Sequence, residues 1–525
     1  MAADALAGTY LAVVAGASLL AISARRFQPS DRLPSLEGWA LADRSLKGGW
    51  TWLVLGGTMF TAYTFTAVPG LMYGKGAPAF FAVPYTVMVC PLAFVLLPRL
   101  WTEARRRGHI TAADFVRGRY GSPPLALVVA LTGILATMPY LALQVLGIRA
   151  VLTAGGLFPH ATGSDLAMVA LYAGLAVATY RHGLRAPTVI SALKAVAVFV
   201  SVAAVAWAVL AVLGEPGHIF EGAERRMAES GTGPGNSASL LLSTPQQPAY
   251  ATLALGSALA LLMYPHVLTA GFAAAGPGTL RRVSVALSAW VALLAVFGLL
   301  GVAAVAAGVR TPDGGAEAAV PMLVAQTMPA PLAGLVFGAL TIGALVPAAV
   351  MSIAAATTFV RNVYVEYFHP TATPKRQVRI AKVVSVTAKI GAVAFVLGLR
   401  GQDAINLQLL GGVWILQIFP AVVLGLFDRR LHHRGLLAGW AVGMAAGTVM
   451  VVAHGFSPTV VLGSPGGPVE IYAGLAALVL NLAGAALVSV ALNLVSHVPI
   501  RTTRGWWPGG RPQATLMPRD GSSEP

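Results

Sequence analysis

The stretch "LLMYPHVLTAG", residues 261–271, sets Pro265 and His266 near the middle of a window, 251–275, with no Asp, Glu, Lys, Arg or second His. A proline removes a backbone donor and breaks the helical ladder. An imidazole beside such a break can hydrogen-bond a carboxylate or take up a proton. A second stretch, "LGGTMFTAYTFTAVPGLMYGKG", joins Gly56 and Gly57 to Thr58, Thr61, Thr64 and Thr66, then Tyr63, Pro69 and Gly70. Gly56, Pro69 and Pro265 are the expected helix breaks. Backbone groups freed inside apolar surroundings are tolerable where they line a cavity and bind something. Two further ionisable groups fall in apolar windows, Lys194 and Lys389, each placed to snorkel to the cytoplasmic surface. No Asp or Glu lies near the centre of an apolar window; Asp165 and Asp403 sit at outer ends. An embedded carboxylate relay is therefore missing, and this core suits an anionic substrate better than a cationic one.

Such residues need elements that hold them in an apolar medium, and the composition supplies that medium. The chain has 525 residues, 57% hydrophobic and 10% charged. Soluble domains carry about 25% charged residues, so a soluble enzyme is excluded. The net charge of +16 does not signal nucleic acid, because the basic residues lie in short runs between apolar segments. With Cys90 as the single cysteine there is no disulfide framework and no metal cluster. No Ser/His/acid spacing supports an enzyme, and no cofactor is expected.

About 20 apolar residues cross a bilayer as a helix. Thirteen candidates occur, at about 7–24, 50–72, 79–101, 123–150, 164–180, 187–213, 251–272, 283–307, 332–358, 383–399, 404–427, 435–453 and 471–495. The first has no basic start and is followed by Arg25 and Arg26, so it reads as a retained helix. Segments 214–250 and 317–331 read as an external loop and an external surface piece. With the N-terminus outside and the C-terminus cytoplasmic, most of the 35 basic residues fall in inner loops, as the positive-inside rule requires. The expected location is the inner (cytoplasmic) membrane. Spans 2–6 and 7–11 then form two oppositely oriented units of five, each opening with an interrupted helix. Matching breaks in inverted repeats point to the central site of a transporter.

The whole chain resembles the sodium:solute symporter family. The resemblance rests on "GWALADRSLKGGW", "TAADFVRGRYGSP", "YLALQVLGIRAVL" and "YRHGLRAPTVISALKA". "GGTMFTAYTFTAVPGLMYGKGA", "LMYPHVLTAG", "ALVPAAVMSIAAATTFVRNVYVEYF" and "LQLLGGVWILQIFPAVVLGL" are similar to its bacterial monocarboxylate permeases. The resemblance implies an all-α polytopic protein of the leucine-transporter type. Its 5+5 inverted repeat carries one extra N-terminal and two extra C-terminal helices. The corresponding divisions are 1–49, repeats 50–213 and 251–427 around the loop 214–250, 428–497, and the tail 498–525. It also implies an ion site between spans 2 and 9, formed by carbonyls of Gly57 and Phe60 with Thr61, and by Ala349 and Ser352. Ile353 stands where a second hydroxyl is expected, and counting back from "NVY" reaches Val346-Pro347.

The walls of a substrate cavity are expected from Tyr63, Tyr140, Gln144, Tyr264, His266, Trp414 and Gln417, aromatic surfaces with a few polar groups. The expected function is symport of short monocarboxylates such as pyruvate, lactate, acetate or propionate, driven by sodium or protons. A sodium-coupled amino-acid or vitamin symporter of the same fold is the rival. The partners are the small organic acid and the lipid bilayer, and no oligomer is required.

Overall fold

The computed structural model describes residues 2–24, 35–154, 161–230, 239–311, 315–398, 404–427, 431–464 and 467–495. The expectations about Arg25, Arg26, Asp403 and the tail 498–525 lie outside the described residues.

The chain is a bundle of long apolar helices. Among the described residues, eleven are long and apolar enough to cross a membrane, or twelve with one bent pair. In chain order they begin with α1 (Ala2–Ile22), α2 (Gly48–Met59), α3 (Val68–Lys75) and α4 (Ala82–Arg107). Next come α5 (Ala112–Tyr120), α6 (Pro123–Ala154), α7 (Ala161–His182), α8 (Arg185–Leu213) and α9 (Pro216–Ser230). The bent pair is α10 (Gln247–Leu261) with α11 (Pro265–Phe272), followed by α12 (Pro277–Ala306) and α13 (Ala319–Thr327). The remaining helices are α14 (Ala330–Phe359), α15 (Pro374–Gly398), α16 (Ala404–Ile415), α17 (His433–Ala453) and α18 (Ala473–Val495).

Segment 50–72, expected as one span, is divided. α2 stops at Met59 and helical structure resumes as a π-helical turn, Tyr63–Ala67, that runs into α3. The interruption keeps it out of the count of continuous spans. Three smaller differences concern connections. Segment 214–250 contains the helix α9, and 317–331 contains α13, whose Val320, Leu323 and Val324 are buried. Between α17 and α18 stands an antiparallel hairpin, β1 (Thr459–Ser464) and β2 (Gly467–Tyr472). Its β-branched "TVV" and alternating "VEIY" are strand signals that the surrounding apolar helices concealed.

α14 is the central post. Its best apolar window is buried throughout, whereas α7, α8, α15, α17 and α18 each bury about a third or less and keep an apolar face outward. That outward apolarity is what lipid requires, and the all-round apolarity of α14 marks a fully enclosed helix.

The arginine-rich end is fastened by polar contacts. Leu46, before α2, exchanges backbone hydrogen bonds with Ala273 and Ala275, after α11. Arg185 at the start of α8 donates to Asp43 (2.6 Å) and to the Gly38 carbonyl (3.1 Å). Asp114 on α5 accepts from Asn362 (2.8 Å) and Arg361 (3.3 Å), which follow α14.

Candidate functional site

Two helix breaks face each other in the core. After Met59 the residue Phe60 is extended (φ −99°, ψ 102°). The Thr64 N–H, the normal partner of the Phe60 carbonyl, bonds the Thr61 carbonyl instead (2.9 Å). The break is stapled from α6: the Ala62 N–H donates to Gln144 Oε1 (3.0 Å), and Gln144 Nε2 donates to Thr61 Oγ1 (3.3 Å) and to the Tyr140 carbonyl (3.1 Å). In the second break Tyr264 is extended (φ −63°, ψ 132°) and Pro265 starts α11, with a bend of 47°. Proline fits this position because the first helical N–H has no partner in any case.

At the breaks lies an aromatic group. The rings of Tyr140 and Tyr264 are 5.2 Å apart, and each is 5.3 Å from the His266 ring. His266 is fully buried, and neither ring nitrogen has a hydrogen-bond partner. Buried polar atoms in folded proteins are nearly always satisfied, so an imidazole bare at both nitrogens marks a place for a ligand. Tyr63 adjoins the group and lies 6.0 Å from Tyr85 on α4, which stacks on Phe81 (6.2 Å). Tyr264 is anchored by its hydroxyl, which donates to the Gln408 carbonyl (3.2 Å). Five of the expected wall residues thus come together: Tyr63, Tyr140, Gln144, Tyr264 and His266. Tyr85, in the first turn of α4, was not singled out from the sequence, where a tyrosine near the end of an apolar span reads as an ordinary interfacial residue.

The other two point elsewhere. Trp414 Nε1 donates to Thr448 on α17 (3.2 Å). Gln417 donates to the Val413 carbonyl (2.9 Å) and accepts from Asn481 on α18 (3.1 Å). Both support the C-terminal helices instead of facing His266.

The residues expected at an ion site divide into two groups. The Gly57 and Phe60 carbonyls are both occupied by Lys194 Nζ, at 2.7 Å each. Ser352 faces another direction: its Oγ donates to the Ala349 carbonyl (2.8 Å) and accepts from Ser385 (3.2 Å). Ser385 in turn accepts from Lys389 Nζ (3.0 Å), which also donates to Thr179 (3.1 Å). Neither lysine snorkels. Lys194 is 0% exposed and Lys389 1%, because each finds oxygen acceptors in the bundle and has no need to reach the surface.

Among the described residues, the buried ionisable side chains of the spans are therefore Lys194, Lys389 and His266 beside tyrosines, with Arg185 at the very start of α8, and the one buried carboxylate, Asp114, lies on the connecting helix α5. An interior with cations and no anions favours a negative ligand. Access is uneven. A cavity of about 610 Å³ opens at the end opposite the arginines, between Lys75, Phe81, Tyr250, Leu253, Leu409 and Glu470. At the other side of the break, next to Pro265, Thr111 and Thr269, only about 20 Å³ is open.

Residues 39–443 match the model of the sodium:solute symporter family. A monocarboxylate transport permease protein of Rhizobium johnstonii is 41% identical over 485 residues, covering 92% of this chain and 96% of its own length. An uncharacterized symporter of Bacillus subtilis, YodF, is 28% identical over 433 residues, or 80% of this chain and 84% of its own. Among solved structures, a sodium-coupled sialic acid symporter in a substrate-bound outward-open state superposes with a TM-score of 0.73 at 14% identity, covering 93% of this chain and 98% of the other. A nucleobase-cation-symport-1 family transporter in a closed conformation gives 0.51 at 14% identity over 89% and 96%. These two show a shared fold.

Proposed function

This chain belongs to the sodium:solute symporter family, and from that premise we propose that it imports short monocarboxylates, such as pyruvate, lactate, acetate or propionate, by symport with a cation. The observation that carries the reading is His266. It is fully buried at the start of α11, bare at both ring nitrogens and flanked by Tyr140 and Tyr264. A neutral imidazole donates one hydrogen bond to a carboxylate oxygen, and the N-terminal end of a half-helix adds a positive dipole. The tyrosine rings packed against it supply an apolar surface suited to a short alkyl or acyl tail. The name of the Rhizobium relative supports the same substrate class.

In this reading the chain has thirteen spans, with the broken segment Gly48–Lys75 as the second. Segments 50–213 and 251–427 are the inverted repeats. The protein lies in the inner membrane with its N-terminus outside. The large cavity is then the outer vestibule, and the fastened arginine end is the closed inner gate. Alternating access opens the Leu46–Ala273 contact and closes the vestibule over Phe81.

Labelled pyruvate counterflow in proteoliposomes tests the site. His266→Ala should raise the apparent KM at least about tenfold, the equivalent of one lost hydrogen bond to a charged group. An unchanged KM for every acid transported would refute the role of His266.

A further inference from the structure

The cradle between the α2 break and α14 already holds a cation, and it belongs to the protein. Lys194 Nζ donates to the carbonyls of Gly57 (2.7 Å), Phe60 (2.7 Å) and Gly343 (2.8 Å). An ammonium has three donors and no acceptor, so its hydrogen-bonding capacity is filled. Each acceptor is a carbonyl that the helices cannot use. Gly57 and Phe60 lie where α2 stops. Gly343 lies four residues before Pro347, which has no N–H to return to it. The ammonium also stands 5.3 Å from the Phe65 ring and 6.0 Å from Trp290, an arrangement that favours a desolvated cation. Gly57 has no side chain in the way; a Cβ there would lie 3.1 Å from Ser191 Oγ.

Backbone oxygens of this kind suit a sodium ion, but these are filled. A sodium ion on the same oxygens would stand roughly 4 Å from Nζ, where like-charge repulsion weakens binding by about a thousandfold at an effective dielectric of about 20. The residues therefore do not fit a sodium ion here. The geometry points to Lys194 as the built-in cation of the cradle, so that the carrier works without sodium and the species exchanged at this site is the lysine proton. This rests on the reading of the chain as a carrier.

The balance is simple. In the inward-open half of the cycle one Nζ–H bond breaks and the proton passes to water; in the outward-open half water returns one. One proton moves with each monocarboxylate, and no net charge crosses. Around Nζ, the segments α2, Tyr63–Ala67, α12 from Ser288 onward and α14 bring no Asp, Glu, His, Arg or second Lys, and Tyr63 is their one ionisable side chain. On other helices packed against α8, Tyr10 of α1 and Tyr172 of α7 are buried phenols. The charged groups Asp4, Asp165, Arg181 and His182 sit near those helices' ends, and Arg185 is held by Asp43. α13 carries no ionisable side chain, and those of α9 lie in the connection beyond the end of α8.

Two measurements on the full chain test this. Radioactive 22Na⁺ binding to the purified protein, without substrate, should show no saturable component at physiological sodium; saturable binding that Lys194→Ala abolishes or leaves unchanged would overturn the inference. In proteoliposomes, pyruvate accumulation under an inward proton gradient should agree within about twofold whether the bath holds sodium or choline, and Lys194→Ala should lower it at least about tenfold while counterflow persists. A sodium requirement, or full accumulation by Lys194→Ala, would overturn it. If Lys194→Ala does not fold, the wild-type comparison of sodium with choline decides alone. If no acid is transported in any bath, the substrate reading fails, and the sodium-binding result still judges the cradle.

Discussion

At the scale of the residue, the site is defined by polar groups that the apolar spans cannot satisfy. His266, Gln144 and Tyr140 were visible in the sequence because a polar side chain in an apolar window needs a partner. The sequence could not say which partner. Trp414 and Gln417 have the same credentials, yet they turn to Thr448 and Asn481 on the last two helices. Helical phase is legible over one turn, whereas the neighbour across the bundle is not. Lys194 shows this most clearly, since its acceptors are 134, 137 and 149 residues away. Two substitutions separate the roles. Tyr140→Phe keeps the ring that faces His266 and should leave the fold intact while raising the KM for pyruvate. Gln417→Leu should instead lower thermal stability by about 0.5–1.5 kcal/mol, because it removes the Oε1 acceptor of Asn481 and leaves that amide only the Gln417 backbone carbonyl, with little change in KM. Measured KM and unfolding temperature of both variants would check this, and the opposite pattern would move Gln417 back into the site.

At the scale of the element, proline sets the geometry. Pro265 was read from the sequence as a break, and the structure bends there by 47°. Pro347 acts more quietly, since α14 continues through it from Ala330 to Phe359 while the Gly343 carbonyl is released to Lys194. Pro347→Ala would return an N–H to that carbonyl. Proton-driven accumulation is expected to fall several-fold while the helix gains stability; equal accumulation by the variant would show that Gly343 is dispensable. Outside the spans, His109 follows α4 beside the contacts of α5. Its imidazole is held below its ordinary range, mainly by burial, with Arg107 reinforcing and Asp114 opposing the effect. The folded chain therefore binds this proton less readily than the unfolded chain. Stability should be full above the unfolded pKa and decline as the pH falls from about 7.5 to about 5.5. His109→Asn should reduce that decline in thermal melts; an identical pH dependence would assign it to other groups.

For the whole molecule, the fold class was the most legible feature. Ten per cent charge in a long chain leaves a membrane bundle as the workable option, and the helices follow the apolar windows closely. The hairpin β1–β2 was not legible, because a short strand pattern between two long apolar helices carries little weight against them. Nor was the role of Tyr472 at the end of β2, whose hydroxyl donates to the Leu409 carbonyl (2.8 Å) beside the vestibule. In the proposed topology the arginines, which collect at the end opposite the large cavity, face the cytoplasm. A C-terminal alkaline phosphatase fusion should accordingly be inactive, and an active fusion would invert the topology.

The substrate class is best tested by competition. Counterflow of labelled pyruvate into proteoliposomes would be measured against excess unlabelled lactate, acetate, propionate, succinate, alanine and proline. Inhibition by the three monocarboxylates, with little effect of succinate or proline, is the expected result. Counterflow that proline or alanine abolishes while lactate, acetate and propionate leave it untouched would contradict a carboxylate site built around His266.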